Sequence, residues 1–248
     1  MQAGIDIGAL ALAAAVGFAA SIVGGIAGYG TGMILPIFVA PIVGVKGVMP
    51  AVALTMVMAN ASRLAAFRSY LEPRQALAVL GGAAPAALVG ASIYSLLPER
   101  AMAIVLAVTL VAMIPLRRVF EHLQFKVGTR GLVAGGAGYG VVAGATFGTG
   151  PILIALLLAG GVAPASIVAT DAFVAVIVGA MRITAFGAAG LYSPNVILAG
   201  IAVGLATIPG GFAARRIVTR MPVKVHASII EALVLVGAVL FVRKAIVG

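Results

Sequence analysis

Two glycine-rich clusters, at corresponding places in the two halves of the chain, constrain its fold more than any other feature. The first runs over residues 28–32 (GYGTG) and the second over residues 146–150 (TFGTG), and each interrupts a long apolar stretch. Clustered glycines break a helix and expose backbone N–H and C=O groups, for which lipid offers no partner. We therefore expect both breaks to face protein or a watery cavity.

The composition is that of a membrane protein. Hydrophobic residues make up 63% of the 248 residues, charged residues only 9%, and the mean hydropathy is +1.24. Soluble domains carry roughly 25% charged residues. Cysteine is absent, which excludes disulfides, thiolate catalysis and cysteine metal sites. The predicted fold class is an all-α polytopic membrane protein without a separate soluble domain.

The apolar stretches predict eight to ten transmembrane segments. A helix that crosses the hydrocarbon needs about 20 residues. Clear candidates are 5–23, 49–66, 75–95, 101–116, 131–146, 164–187, 195–213 and 225–242. Two shorter apolar pieces, 32–44 and 150–160, are either short, tilted crossings or re-entrant half-helices, so both counts stay open.

The two halves repeat each other. Gly30-Thr31-Gly32 recurs as Gly148-Thr149-Gly150 at an offset of 118, and Arg63 recurs as Arg182 at an offset of 119. Three prolines extend the correspondence at slowly increasing offsets: Pro73 with Pro194, Pro85 with Pro209, and Pro98 with Pro222. We predict a first repeat over 1–118, a cytoplasmic inter-repeat loop over 119–130 and a second repeat over 131–248.

The distribution of positive charge favours five spans in each half. With that count, ten Lys and Arg residues collect on one side and four on the other, as the enrichment of positive charge in cytoplasmic loops requires. The ten are Arg68, Arg74, Arg117, Arg118, Lys126, Arg130, Arg215, Arg216, Arg220 and Lys224, and the four are Lys46, Arg100, Arg243 and Lys244. An odd number of spans per repeat makes the two repeats inverted, with broken helices at the paired glycine motifs.

The two Gly-Thr-Gly clusters are candidates for substrate binding. Glycines also let membrane helices pack closely, and the pairs Gly24-Gly25, Gly81-Gly82 and Gly135-Gly136 are expected to do only that. Each cluster, however, carries a hydroxyl and precedes a short helix, whose N-terminus offers unpaired N–H groups and partial positive charge. Gly30, Thr31, Gly32, Gly148, Thr149 and Gly150 are therefore predicted to cradle a small anion.

Three further polar side chains are predicted to contact substrate. Arg63 and Arg182 lie in apolar segments, where an ionisable residue is a functional candidate by default. The alternative is that each guanidinium reaches the membrane interface while its stem stays buried. Asn60 could line the same path or hydrogen-bond two helices together.

Asp171 is a candidate ion-coupling residue. It is the only acid in the apolar run from 151 to 181, and Val52 stands at the equivalent place in the first half. It could serve as a proton relay or cation ligand in a coupled transporter. The alternative is a helix-packing ion pair, for instance with Arg182, although the eleven residues between them would need a bend or another helix.

The chain resembles the TauE/SafE family of sulfite exporters. The resemblance rests on Gly24, Gly25, Gly28, Gly30 and Gly32 followed by Pro36, with an echo at Gly144, Gly148, Gly150 and Pro151, and on the Ala169-Thr170 pair. Asp171 departs from the family pattern, which usually has a small polar residue there. The resemblance implies a secondary transporter that exports a small sulfur-containing anion, such as sulfite or a sulfonate, across the inner membrane of a bacterium.

The alternatives are an anion channel, a transporter of another small organic acid, and a structural membrane scaffold. The sequence carries no H-E-x-x-H zinc motif, no nucleotide-binding loop and no pair of intramembrane aspartates, so no enzyme, metal site or cofactor is expected. The net charge of +10 is attributed to cytoplasmic loops, since no basic run is interleaved with the aromatics of a nucleic-acid site. The expected partners are the small anion and the lipid bilayer, and a homodimer is an open alternative.

Overall fold

The computed structural model describes residues 5–27, 30–122 and 126–217, and these residues are helical with no strand among them. The α-helices are α1 (Ile7–Ala27), α2 (Thr31–Phe67), α3 (Pro73–Ser95), α4 (Glu99–His122), α5 (Thr129–Ala145), α6 (Gly150–Ala159), α7 (Ile167–Ala188) and α8 (Pro194–Ile217). Short 3₁₀ turns, Arg68–Tyr70 and Pro164–Ser166, precede α3 and α7. The predicted segment 225–242 lies outside the described residues.

Five helices in the described ranges are long and apolar enough to cross a membrane: α1, α2, α3, α7 and α8. Large apolar side chains on them point away from the protein, and Leu12, Leu77 and Leu205 are each more than half exposed. Such exposure is unfavourable in water and suits lipid. The predicted all-helical, multi-pass membrane protein is thus confirmed for these residues.

Helix α2 contains a break at Gly44. The backbone there has φ 69° and ψ 172°, which lies outside the helical region and is accessible mainly to glycine. The break separates a short piece, 31–43, from the longer stretch 45–67. The same two pieces were predicted from the sequence as 32–44 and 49–66.

Glycines allow α3 and α5 to pack backbone against backbone. A Cβ built on Gly82 or Gly90 of α3 would overlap the carbonyl oxygens of Val133 and Val141 on α5. In return, a Cβ on Gly136 of α5 would overlap the carbonyl oxygen of Val79. Small residues permit this close approach in membranes, where the packing of helices replaces the hydrophobic effect. The packing role predicted for Gly82 and Gly136 is confirmed.

On the opposite side of the molecule, α8 packs against α1 and α2. Thr55 of α2 donates a hydrogen bond to the Gly200 carbonyl oxygen (2.9 Å), and Ser21 of α1 donates one to the Thr207 carbonyl oxygen (2.6 Å). Helix α7 contacts both α2 and α3 and so joins these two packed groups. The interior where α2, α5, α6 and α7 meet holds the polar residues described next.

Candidate anion-binding cavity

A cavity of ≈ 70 Å³, with both polar and apolar residues in its wall, lies where α2, α5, α6 and α7 meet. A cavity needs about 10–15 Å³ to hold one water, so this one fits a small ion but not a large substrate. All ten residues proposed from the sequence as substrate-binding or ion-coupling line it. They are Gly30, Thr31, Gly32, Asn60, Arg63, Gly148, Thr149, Gly150, Asp171 and Arg182.

The two Gly-Thr-Gly clusters face each other across this cavity. A Cβ built on Gly32 would lie 3.6 Å from the Gly148 backbone nitrogen, so the two backbones are separated by little more than one side-chain atom. Gly30 and Gly148 have positive φ angles, 115° and 74°, which side chains on L-residues rarely permit. Helix α2 begins at Thr31 and helix α6 at Gly150, so both present their N-terminal ends here.

The Thr31 hydroxyl is engaged with protein, since it donates a hydrogen bond to the Ala20 carbonyl oxygen of α1 (2.8 Å). Thr149 lines the cavity together with Tyr139 of α5. In the first turns of α2 and α6, the Met33 and Ile152 N–H groups are bonded to the Gly30 and Thr149 carbonyl oxygens. Pro151 has no N–H, so the N–H donors of these turns that remain for a ligand are those nearest the helix starts.

Arg63 and Asp171 form a buried ion pair between the two halves of the chain. The Arg63 Nη2 atom lies 3.5 Å from Asp171 Oδ2, and the two side chains are 5% and 3% exposed. Arg63 also donates from Nη1 to the Gly24 carbonyl oxygen (2.7 Å) and from Nη2 to the Asn60 side-chain oxygen. The alternative that paired Asp171 with Arg182 is therefore wrong, because Arg182 lies three turns away along the same helix, about 16 Å.

Arg182 is buried in different surroundings. Its Nη2 atom lies 3.8 Å from the Met49 sulfur, and its guanidinium carbon lies 4.8 Å from the centre of the Phe147 ring. Its Nε atom is buried without a hydrogen-bond partner, and no acid among the described residues forms an ion pair with it. The ring provides a cation–π contact, but the positive charge is not neutralised.

The cavity therefore has a net positive character at its Arg182 side. Asp171 offsets the charge of Arg63, whereas Arg182 keeps its charge, with a residue exposure of only 7%. A buried charge without a counter-charge is unfavourable unless a ligand supplies one. The described residues contain no group of three or more His, Cys, Asp or Glu side chains that could hold a metal ion. An anion is the ligand that these surroundings favour.

Two aromatic residues of the cavity wall, Tyr139 and Phe147, had no part in the sequence-based proposal. Phe147 adjoins Gly148 within the second glycine cluster, and its apolar side chain carries no sequence signal for a role in the site. Tyr139 is a polar aromatic among glycines and alanines of α5, and this contrast was a signal that could have indicated a cavity-facing side chain. The contact of Phe147 with Arg182, and the place of Tyr139 beside Thr149 in the cavity wall, depend on tertiary packing, which the spacing of residues along the chain does not reveal.

The comparisons with known proteins agree with the membrane fold. The family model described as "Sulfite exporter TauE/SafE" matches residues 13–241. No curated protein and no solved structure gives a match. Because the family model covers most of the chain, the chain belongs to the TauE/SafE family.

Proposed function

We propose that this member of the TauE/SafE family is a secondary transporter that exports a small sulfur-containing oxyanion, such as sulfite or a sulfonate. The family is one of membrane transporters for such anions. The cavity between the two halves is the proposed substrate site. Its volume suits an ion of a few heavy atoms. Among the described residues, its lining supplies positive charge and hydrogen-bond donors but only one acid, which is already paired.

Arg182 is the observation that carries this proposal. A guanidinium is a planar fork of N–H donors that matches the geometry of an oxyanion. Arg182 is 7% exposed, lines the cavity and lacks an acidic partner in the described residues. An incoming anion would neutralise this charge and accept its hydrogen bonds. The binding free energy would then come from neutralising a charge for which the described residues provide no counter-charge.

The N-terminal ends of α2 and α6 are the proposed second source of donors. Helix N-termini carry unpaired N–H groups and a partial positive charge. Gly32 and Gly150 stand in the first turns of these helices and present no side chain that would keep an anion from the backbone. The glycines are thus proposed to serve close approach of substrate, in contrast to Gly82 and Gly136, which serve helix packing.

Inverted repeats are proposed as the basis of alternating access. Exchanging the halves equates α1 with α5, the 45–67 stretch of α2 with α7, and α3 with α8. Under this exchange the contact of α1 with α8 becomes that of α5 with α3, and the contact of α2 with α8 becomes that of α7 with α3. All four contacts are present.

Reporter fusions at Gly128 and Pro222 test the predicted topology, and both should indicate the cytoplasm. Reporters on opposite sides of the membrane would rule out five inverted spans per half.

Asp171 is proposed to couple transport to protons. Its carboxylate is paired with Arg63 at the cavity edge, where protonation would remove the ion pair and release a second guanidinium toward the anion. Helices α2 and α7, which carry the two residues, belong to different halves, so the pair is placed to link their relative movement. Membrane potential acting on the anion alone is the alternative driving force.

Flux of radiolabelled sulfite from proteoliposomes tests the proposed function. The initial rate should saturate with sulfite concentration, as expected of a carrier, whereas a channel would show a rate that keeps rising.

Arg182→Gln should lower the rate at least about tenfold, because hydrogen bonds to an ionised group contribute about 1.5–3 kcal/mol each. Arg216→Gln, an exposed change on α8, is the matched control and should transport like the wild type. Competition by other small organic acids would identify that alternative substrate class.

The bilayer and the small anion are the proposed partners, and the inner membrane of a bacterium is the proposed location. A homodimer stays a prediction, to be tested by the mass of the protein in detergent.

A further inference from the structure

Three buried polar atoms without hydrogen-bond partners occur in the described residues: the hydroxyls of Tyr94 and Tyr192, and Nε of Arg182. Tyr94 is fully buried and Arg182 is 7% exposed. A buried polar group without a partner costs free energy comparable with a lost hydrogen bond, so proteins keep few of them. Three such atoms near one another therefore require an explanation.

These atoms belong to one neighbourhood at the C-terminal ends of α3 and α7. The ring of Tyr94 packs edge-on against Phe186, with ring centres 6.1 Å apart, and Phe186 lies one turn after Arg182 on α7. Helix α7 ends with Gly190 at φ 67°, and Leu191 donates a backbone hydrogen bond to the Phe186 carbonyl oxygen (3.0 Å).

This turn brings Tyr192 back over the end of α7. A Cβ built on Gly187 would lie 3.9 Å from the Tyr192 ring. The contacts with Phe186 and Gly187 therefore place the rings of Tyr94 and Tyr192 about one turn beyond Arg182 on α7. Neither tyrosine lines the cavity, whereas Arg182 does.

The chemistry of the three atoms favours an acceptor. A guanidinium N–H can only donate, and a tyrosine hydroxyl can donate to an ionised oxygen. Tyr192 lies between α7 and α8, where burial raises the pKa of its hydroxyl to about 12 while the Arg182 charge acts in the opposite direction. The hydroxyl therefore keeps its proton, and its capacity to donate, throughout the physiological range.

The corresponding surroundings in the first half are built differently. Arg63 has Asp171 and Asn60 as side-chain partners, and the offset of 121 places Leu71 where the second half has Tyr192. Among the described residues, Tyr192 thus accompanies the arginine that has no acidic partner, while Arg63 has Leu71 at the corresponding place. Hydrogen-bond donors without an acid among the described residues suit an anion that enters or leaves on this side of the cavity.

We propose that Tyr94, Tyr192 and the Nε edge of Arg182 form a second oxyanion position, between the central cavity and the loop 189–193, that the transported anion occupies in passing. The position rests on the proposed function, since the same anion uses it. Arg182 supplies one positive charge to both positions, so one anion occupies them in turn. The anion moves from the cavity side of the guanidinium to the side that faces the tyrosines.

Sided transport measurements test this inference. Right-side-out and inside-out vesicles give the half-saturating sulfite concentration from each face of the membrane. The double variant Tyr94→Phe/Tyr192→Phe should raise that concentration about tenfold or more from the face that carries 189–193, because it removes hydrogen bonds to an ionised group. From the other face, the value should stay within about twofold of wild type. Tyr70→Phe, an exposed tyrosine, should behave like the wild type from both faces.

The face is identified independently, since the chain has no cysteine and Ser193→Cys can be labelled with an impermeant maleimide. The Phe variants remove only hydroxyls, so thermal unfolding without sulfite should show them at least as stable as wild type. If the half-saturating sulfite concentration shifts equally from both faces, or from neither, the second position is overturned. Saturable flux by the wild type would still support the proposed function in that case. Absence of saturable sulfite flux in the wild type would overturn both. The single Tyr192→Phe change, at a half-buried site, repeats the test with less risk to folding.

Discussion

The two cavity arginines should respond in opposite directions to the same substitution. Arg63 and Arg182 correspond in the proposed repeats and are almost equally buried, 4% and 7% exposed. Methionine replaces the length of either side chain and removes its charge. Because the substitution is the same at both sites, the difference in stability between Arg63→Met and Arg182→Met depends on the partners of each guanidinium.

Arg63→Met should destabilise the protein. It leaves Asp171 buried at 2% exposure without its ion-pair partner, and it removes the donors to the Gly24 carbonyl and the Asn60 side chain. Breaking a buried pair by removing one member costs about 3–5 kcal/mol. The separation of 3.5 Å is long for such a pair, so we expect the lower end, about 3 kcal/mol.

Arg182→Met should stabilise the ligand-free protein. The change removes an Nε atom that is buried without a partner, which relieves about 1–3 kcal/mol. It also removes the cation–π contact with Phe147, at a cost of about 0.5–2 kcal/mol. The net expectation is a gain of about 1 kcal/mol in the free energy of unfolding, together with loss of anion binding. Residues kept for function at a cost in stability show this combination.

Reversible unfolding in mixed micelles, followed by the loss of helical circular dichroism at pH 8, measures both free energies. Thermal stabilisation by sulfite, compared with chloride at equal ionic strength, measures binding in the same samples. If both variants lose stability by similar amounts, Arg182 has a structural partner that the account lacks. Retention of the sulfite effect in Arg182→Met would refute its role in binding.

Three further predictions concern single residues. Gly140→Ala should lower the free energy of unfolding by about 1–3 kcal/mol because its Cβ would overlap the Ala83 carbonyl oxygen, whereas Gly138→Ala, with open space around it, should be neutral or stabilising in the same assay. Gly148→Ala should abolish sulfite-induced thermal stabilisation, since its Cβ would lie 2.6 Å from Met33 Cγ at a φ of 74°; an unchanged sulfite effect would mean that this glycine serves packing. Asp171→Asn should transport at a rate independent of pH in proteoliposomes, and a wild-type pH profile would exclude Asp171 as the coupling residue.

Local sequence signals were sufficient for much of the fold and the site. Long apolar runs predicted most helix positions, because membrane thickness sets helix length. The repeated Gly-Thr-Gly motif indicated which residues would gather, since a backbone break must avoid lipid. Helix α4 continues to His122, beyond the predicted end at 116, where charged residues interrupt the apolar pattern but do not prevent helix formation.

The contacts that differentiate the two arginines could not be predicted in this way. The partner of Asp171 is 108 positions away along the chain, on a helix of the other half. The rings around Arg182 come from α3, the α5–α6 connection and the loop after α7, which share no sequence pattern. The threonine hydroxyls were expected to point to substrate, yet Thr31 is bonded to α1. Such pairings depend on how helices cross, which periodicity within one helix does not specify.

The central claim is that an oxyanion binds between the two Gly-Thr-Gly clusters and is held by Arg182. Crystals or cryo-EM samples prepared with selenite, the heavier analogue of sulfite, test it directly, because selenium can be located by its anomalous signal or its density. We predict selenium within hydrogen-bonding distance of the Arg182 guanidinium, inside the cavity that Gly32 and Gly148 line, and its loss in Arg182→Met. Selenium only at surface arginines such as Arg215, with an empty cavity at saturating selenite, would contradict it.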